Sequence, residues 1–350
     1  MHMADALLSP AVGGSMWAAT AACIAYASKK VRQRLDDRAI PMMGVLGAFI
    51  FAAQMINFTI PGTGSSGHLG GGMILAVLLG PHAAFLVMAS ILTVQALFFA
   101  DGGLLALGCN IFNLGFFPCY LAYPLLYRGI AGPRPSRGRI TAGSLAGAVF
   151  GLQLGAAAVV LETVLSGISE LPFRSFVLAM LPIHLAIGLV EGLVTAAVIN
   201  FVRAAEPGLA GEVGAGTDRR VLLALLTAAL ITGGILSWFA SERPDGLEWA
   251  MGRVSGHEEL AAPTGGIHEL VSGIQERLAP LPDYGFKAEA PAESEPEAAA
   301  APDSPVSPGT SVSGLVGGIL TLAIVAGLGF LLRRRGSQLG PARSAGRLSR

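Results

Sequence analysis

Charge is scarce in this sequence, because 23 Lys and Arg and 23 Asp and Glu make up only 13% of its 350 residues. Soluble domains carry about twice that share, so the composition excludes an ordinary soluble enzyme. The three cysteines, Cys23, Cys109 and Cys119, all fall in apolar segments, which favours small buried side chains over disulfides or a cysteine metal site. The phosphate-loop pattern Gly-x-x-x-x-Gly-Lys-Ser/Thr is missing, which excludes that type of ATP site from this chain.

Basic residues are also missing from the beginning of the chain. No Lys or Arg precedes the first apolar run, and a basic cluster follows it. That order predicts a retained membrane helix rather than a cleaved signal peptide. Since a large second residue, His2, hinders removal of the first methionine, we expect Met1 to keep a free amine.

Long apolar runs dominate what is present. Hydrophobic residues make up 53% of the chain and the mean hydropathy is +0.62. Runs of about the 20 residues that a bilayer requires occur at 11–28, 41–58, 82–100, 104–127, 140–163, 174–202, 220–239 and 313–332. The run 69–79 is shorter, and it predicts a half-length helix that ends at Gly80-Pro81. We therefore predict an all-α polytopic membrane helical bundle, with about seven crossings in the first part and two more in the tail.

The distribution of basic residues predicts the orientation. Eighteen of the 23 Lys and Arg lie at positions 29–38, 128–139, 203–220 and 333–350. With nine crossings these groups share one side, which the positive-inside rule assigns to the cytoplasm. We predict a multi-pass protein of the cell inner membrane with its N-terminus outside and its C-terminus in the cytoplasm. The N-terminus, the loop around His68 and the turn Asp101-Gly102-Gly103 then share the outer face.

Composition divides the chain into four parts. Residues 1–203 form a predicted transmembrane bundle, 204–219 a cytoplasmic linker, and 336–350 a basic cytoplasmic tail. Residues 220–335 form a unit of two membrane helices with an extracytoplasmic loop at 240–312. Within that loop the Ala-, Pro-, Glu- and Ser-rich segment 288–308 is predicted to be disordered. His257 and His268 lack metal-ligand spacing, and we interpret them as surface residues.

The beginning of the chain offers three nitrogens to a metal: the Met1 amine, the His2 backbone amide and the His2 Nδ1. They chelate in adjoining five- and six-membered rings, and with the amide deprotonated they leave one position of a planar set open. This geometry suits Ni(II) or Cu(II). His68, in the loop Thr59–Gly72 with its six glycines and no charge, is our candidate for the fourth nitrogen. Uncharged backbone of this kind is predicted to fold into the bundle, although a flexible external turn is the alternative.

Several polar side chains interrupt the apolar runs, where desolvation is expensive. We expect five polar residues to surround the metal ligands: Gln54, Asn57, Ser65, Ser66 and Asn110. His184 and Glu191 are seven residues apart, so they share a helix face. They indicate either helix-to-helix hydrogen bonding, the commoner explanation, or a second metal site or proton relay. An intramembrane metal-dependent enzyme using His184 and Glu191 is therefore the alternative function, while the roles of Glu162, His184 and Glu191 stay open.

Four strings agree in order with a known family: Met-His-Met-Ala-Asp at the start, Gly47–Phe58, the Gly-Ser-Ser-Gly-His loop, and Gln95–Asn110. Residues 1–203 resemble the substrate-capture membrane subunit of cobalt/nickel energy-coupling-factor ABC transporters. The tail, with Pro244-Asp245-Gly246-Leu247 and Asp283-Tyr284-Gly285-Phe286, is similar to the small auxiliary subunit that is separate in some of these systems.

The resemblance implies capture of Ni(II) or Co(II) outside the cell and ATP-driven delivery inward by a non-enzymatic transport component. It implies metal ligands at Met1, His2 and His68. It also implies a transmembrane coupling subunit and cytoplasmic ATPase subunits as partners, with membrane lipid and no nucleic acid. The loop reads Ser66-Gly67-His68-Leu69-Gly70-Gly71, closer to the nickel-type branch, so nickel is favoured. An ion channel, the third possibility, has little support from the Asp101-Gly102-Gly103 turn.

Overall fold

The computed structural model describes residues 2–34, 39–205, 219–287 and 307–337. Met1 lies outside these ranges, as do most of the linker predicted at 204–219, nearly all of the segment predicted to be disordered at 288–308, and all but the first two residues of the basic tail predicted at 336–350. Backbone polar groups in lipid are satisfied only inside helices or closed barrels. The prediction of an all-α membrane bundle is confirmed, since almost every apolar run is helical.

Each predicted run corresponds to a helix. In the first part these are α1 Pro10–Arg34, α2 Ala39–Gln54, α3 Gly72–Leu79, α4 Pro81–Phe98, α5 Leu107–Ala131, α6 Arg137–Ser166 and α7 Phe173–Ala205. The tail contains α8 Arg219–Gly234, α9 Gly246–Ser255, α10 Gly266–Leu278 and α11 Pro308–Ser337. Among the described residues, five helices are long and apolar enough to cross a membrane: α4, α5, α6, α7 and α11.

The chain between α2 and α3 is irregular and partly buried. Its two short strands, β1 Phe58–Thr59 and β2 Ser66–Gly67, pair antiparallel, with Phe58 opposite Gly67. Pro61 and Gly62 at the tip are exposed, whereas the backbone from Ser65 to Gly67 and from Gly70 to Gly72 is buried. The predicted inward folding of this loop is thus confirmed for its second half. The hairpin fixes the position of His68, which directly follows β2.

Helix α5 changes its pitch within the bundle. It widens into π-helical turns over Phe112–Tyr127, and both Pro118 and Pro124 lie inside this stretch. Proline lacks the N–H that an α-helix requires and clashes with the preceding turn, so the two prolines disfavour regular α-helical hydrogen bonding in this stretch. The widened helix packs closely on α3, because a Cβ at Gly72 would lie 2.8 Å from the Leu114 carbonyl oxygen.

The tail helices pack directly on the first part of the chain. A Cβ added at Gly47 of α2 would lie 3.2 Å from Thr321 Cγ2 of α11, and one added at Gly233 of α8 would lie 3.2 Å from Gly314 Cα of α11. Small residues let membrane helices approach this closely. The two predicted domains therefore share one core along α2.

His268 corrects a prediction, since we interpreted it as a surface residue. It is only 6% exposed, and its Nε2 lies 2.8 Å from the Leu8 carbonyl oxygen. The spacing argument addressed metal binding and not burial, so it missed that α10 lies against the N-terminal segment. His257 is exposed, as predicted.

One close contact between helix backbones is testable at Gly192 of α7. A Cβ there would lie 2.7 Å from Leu145 Cα of α6, so Gly192→Ala is expected to lower the free energy of unfolding by about 1–3 kcal/mol through overpacking. Thermal unfolding in detergent measures this. Gly138→Ala is the matched control, because it lies in the exposed start of α6 with nothing within 4 Å of the added Cβ. Equal melting temperatures for the two variants would contradict the prediction.

Candidate metal centre

The structure brings together the two imidazoles that the sequence singled out. The rings of His2 and His68 stack with centroids 5.1 Å apart and planes 18° apart. Both side chains are nearly buried, at 8% and 10% exposure. The predicted neighbourhood of the chain start and the glycine loop is therefore present in the fold.

Asn110 holds the N-terminal segment in place. Its Oδ1 accepts a hydrogen bond from the Met3 N–H at 2.8 Å, and its Nδ2 donates to the Met3 carbonyl at 3.2 Å. The Gly103 N–H donates to the same carbonyl at 2.9 Å. The backbone N–H and carbonyl of Met3 are thus both hydrogen-bonded, which also restricts the position of the adjacent His2. Asn110, predicted to surround the ligands, positions the segment that carries one of them.

Burial determines the charge state of both imidazoles. It lowers the pKa of the His2 imidazole below its ordinary value, and it lowers the pKa of His68 to about 3. Both rings are consequently neutral at physiological pH, which is the form that binds metals. The His68 Nδ1 lies 3.1 Å from the Leu69 carbonyl oxygen, and since a carbonyl only accepts, this contact favours a proton on Nδ1 and a lone pair on Nε2.

Conventional metal clusters are absent from the described residues. No group of three or more His, Cys, Asp or Glu side chains within them is placed to hold a metal ion. The predicted ligand set relies instead on backbone nitrogens, and its first member, the Met1 amine, lies outside the described residues. The complete four-nitrogen arrangement stays a prediction.

The other four predicted surrounding residues have two kinds of neighbour. Gln54 donates to the Gly70 carbonyl at 2.8 Å and accepts from Gln95 Nε2 at 2.9 Å, which supports the loop just after His68. Ser65, Ser66 and Asn57 contact the tail: the Ser65 hydroxyl lies 3.4 Å from the Pro244 carbonyl, the Ser66 hydroxyl donates to the Arg243 carbonyl at 2.7 Å, and the Asn57 carbonyl accepts from the Ser241 N–H at 2.7 Å.

Asp101 is a site residue that the sequence reasoning missed. Its Oδ1 lies 3.4 Å from His2 Nδ1, and its Oδ2 accepts a hydrogen bond from the Tyr284 hydroxyl at 2.5 Å. The Tyr284 ring stacks on Phe99 with centroids 4.9 Å apart. The tail thereby reaches the His2 side of the site. The only sequence signal was the position of Asp101 on the predicted outer face.

Asp245 brings the tail to the His68 side as well. Its Oδ2 lies 3.9 Å from His68 Nε2, while its Oδ1 accepts from the N–H groups of Leu247 and Glu248 at 2.7 and 2.9 Å and so caps α9. The Pro244 carbonyl accepts from the Ser66 N–H at 2.8 Å. The pattern Asp245-x-x-Glu248 is a capping-box signature, which was legible in the sequence, but the contact with His68 was not.

Glu191 resolves an electrostatic difficulty at the start of α3. The free N–H groups of a helix start repel a cation, and α3 begins only four residues after His68. The Glu191 carboxylate accepts from the Gly70 N–H at 2.9 Å and from the Gly71 N–H at 3.2 Å. This side chain therefore places two acceptor oxygens on the backbone N–H groups that precede α3, and hydrogen bonding between α7 and the loop accounts for its burial.

Comparisons with known proteins find relatives of both parts of the chain. A family model described as the cobalt uptake substrate-specific transmembrane region matches residues 2–209, and one described as the PDGLE domain matches residues 219–334. The Archaeoglobus fulgidus protein that carries the name NikMN is 33% identical over 339 residues, which cover 95% of this chain and 98% of its own length. The fused nickel transport protein NikMN of Rhodobacter capsulatus is 31% identical and covers 81% of this chain and 88% of its own.

Relatives of other kinds match the first part of the chain. The cobalt transport protein CbiM of Sorangium cellulosum is 34% identical over 218 residues, covering 60% of this chain and 94% of its own. A crystal structure of a truncated transition metal transporter superposes with a TM-score of 0.52 and 31% identity, covering 59% of this chain and 99% of that one. The name of the PDGLE domain spells the five residues Pro244–Glu248 of this chain. Asp245 of this string lies against His68.

The role of Glu191 is testable by removing its charge. Glu191→Gln is expected to weaken nickel binding by about tenfold, because residues that support metal ligands contribute on that scale. Titration of the purified protein with nickel measures the affinity. Glu162→Gln is the matched control, since Glu162 is equally buried but accepts from Asn113 Nδ2 at 2.8 Å instead of from the loop. Equal losses in both variants, or none in either, would refute the assignment.

Proposed function

This chain belongs to the family of cobalt uptake substrate-specific transmembrane proteins, and from that premise we propose that it captures Ni(II) or Co(II) outside the cell and delivers it inward. It is a multi-pass membrane protein and a transport component rather than an enzyme. The alternative of an intramembrane enzyme accordingly falls away. The observation that carries the proposal is the buried, neutral pair of imidazoles contributed by His2 and His68.

We propose a flat four-nitrogen site made by the Met1 amine, the His2 amide, the His2 Nδ1 and the His68 imidazole. The stacked rings support it, because they place both imidazoles next to the chain start. His2 Nδ1 faces the Asp101 carboxylate at 3.4 Å, so in this proposal coordination exchanges that contact for a bond to the metal. Gln54, Asn110 and Glu191 hold the two backbone segments in position.

Nickel is the proposed substrate, with cobalt as the second choice. A planar set of nitrogens that includes a deprotonated amide suits d⁸ Ni(II). The names of two relatives that span the tail and the first part, from Rhodobacter capsulatus and Lactiplantibacillus plantarum, refer to nickel transport. The name of the Sorangium cellulosum relative, which matches only the first part, refers to cobalt.

Energy for transport comes, in this proposal, from partner proteins. The sequence contains no phosphate loop, so we assign ATP hydrolysis to cytoplasmic subunits that act through a transmembrane coupling subunit. The basic clusters support an orientation in the inner membrane with the C-terminus in the cytoplasm and the chain start outside. A metal site that faces outward and couples to an ATPase within the cell defines the direction of uptake.

We further propose that the extracytoplasmic part of the tail covers the metal site and controls its loading. Two contacts support this: Asp245 lies against His68, and Tyr284 holds Asp101 against His2. Gln275 also donates to the Ala96 and Gly102 carbonyls, at 2.9 and 2.7 Å. This part of the tail, the cover, therefore contacts the first part of the chain beside His68 and beside His2.

Terminal coordination is testable without changing any side chain. Adding two residues before Met1 displaces the amine, so nickel binding to the purified protein is expected to fall by two orders of magnitude or more, roughly the loss of one chelate ring. His68→Ala is expected to have a similar effect. The same two residues added after Arg350 serve as the control. Undiminished binding by the N-terminally extended protein would exclude the amine as a ligand.

The role of the cover is testable at Asp245. Asp245→Asn keeps a good helix cap but removes the negative charge beside His68, so nickel loading is expected to slow by about tenfold while α9 stays folded. Asp245→Ala removes cap and charge together and separates the two effects. Stopped-flow loading followed by the change in absorption measures the rate. Loading at the normal rate in Asp245→Asn would contradict a role of this carboxylate.

A further inference from the structure

His184 has a nitrogen that nothing in the described structure uses. The residue lies in α7 and is 1% exposed. Its Nδ1 lies 2.8 Å from the Met180 carbonyl oxygen, and because a carbonyl only accepts, Nδ1 carries the proton and Nε2 the lone pair. Within the described residues Nε2 is buried and has no hydrogen-bond partner. Metal-binding histidines are oriented in this way, with one nitrogen held by a carbonyl and the other presented to the ion.

The unused nitrogen borders a cavity that also touches the metal centre. The cavity has a volume of about 10 Å³, room for roughly one water-sized species. His68, His184 and Asp245 line it, together with Leu114, Leu152 and Ile187 from three membrane-spanning helices. It therefore extends from His68 toward the interior of the bundle.

Gly246 keeps the edge of the His184 ring accessible. A Cβ at this position would lie 3.0 Å from His184 Cε1 and 3.2 Å from Nε2. The tail thus approaches the ring with the one residue that lacks a side chain, directly beside the Asp245 carboxylate. Any larger residue would cover the nitrogen. Two separate segments, α7 and the start of α9, are shaped around the same small space.

We propose that His184 is a transit ligand, which receives the metal ion from His68 on its way into the bundle. The inference rests on the proposed function, and it adds an inner position at which His184 Nε2 binds the ion as it leaves His68, within the cavity that both imidazoles and Asp245 line. Imidazole nitrogen suits Ni(II) and Co(II). A single imidazole binds more weakly than a planar chelate with a deprotonated amide, so the ion is held briefly and passed on. The cavity admits the ion without its hydration shell.

His184→Asn is the decisive variant, because the Asn amide can still donate to the Met180 carbonyl while the Nε2 ligand is gone. Two quantities are measured: nickel affinity of the purified full chain, and radioactive nickel that becomes resistant to an external chelator in energised cells that also express the coupling and ATPase subunits. We expect the affinity to change little and the chelator-resistant nickel to fall by about tenfold or more.

Gly246→Ala provides a second test, since it covers Nε2 without removing it. Alanine favours a helix start more than glycine does, so α9 is expected to stay folded and the phenotype to match His184→Asn. Gly273→Ala in α10, where an added Cβ meets nothing within 4 Å, is the matched control and is expected to leave both quantities unchanged.

Three results would overturn the inference. Chelator-resistant nickel at the wild-type level in His184→Asn would show that the ion does not use Nε2. Occupation of the cavity by water only, in the nickel-loaded protein, would show the same. A parallel loss of affinity and delivery in both variants would assign His184 to the capture site or to the fold. Failure of the proposed function itself is distinguishable, because then the unmodified protein would not bind nickel or His68→Ala would bind it normally.

Discussion

The structure depends on satisfying an irregular, buried stretch of backbone, the segment from Ser65 to Gly71 that carries His68. Membrane depth offers no water to unpaired peptide groups, so every partner must come from the protein. Glu191 from α7 accepts from two consecutive N–H groups, Gln54 from α2 donates to the Gly70 carbonyl, and Pro244 from the tail accepts from Ser66. Three parts of the chain thus fix the segment that carries the His68 imidazole. This requirement explains why Gln54 and Glu191 interrupt apolar runs.

Much of the fold could be predicted because helix formation in lipid follows from length and hydropathy alone. The half-length helix after His68, for example, was recognisable from Gly80-Pro81, and α3 does end at Leu79. The pairing of His2 with His68 followed from chelate chemistry and shared topology. Asp101 and Asp245 escaped prediction because their importance lies in contacts with His2 and His68, which are distant in the sequence, and no local pattern encodes such contacts. The prediction that His268 lies on the surface was wrong for the same reason, since its burial depends on where α10 docks.

Fusion of the tail to the first part raises the local concentration of the tail at the candidate metal site. α11 packs along α2 through glycines, while the loop between α8 and α11 contacts His68 through Asp245 and contacts Asp101, the neighbour of His2, through Tyr284. A tethered segment acts at an effective concentration in the millimolar range, so weak contacts such as the 3.9 Å approach of Asp245 to His68 need no strong affinity of their own. The proposed cover can therefore remain near the metal site and still open.

The two oxygens of Asp245 are divided between different tasks, one holding the first turn of α9 and the other facing the His68 ring. A shift of the ring is consequently felt by a helix elsewhere in the chain, and by reciprocity any event that steadies this helix start biases the ring by an equal free energy. One carboxylate thus couples the position of the ring at the proposed metal site to the folding of the first turn of α9.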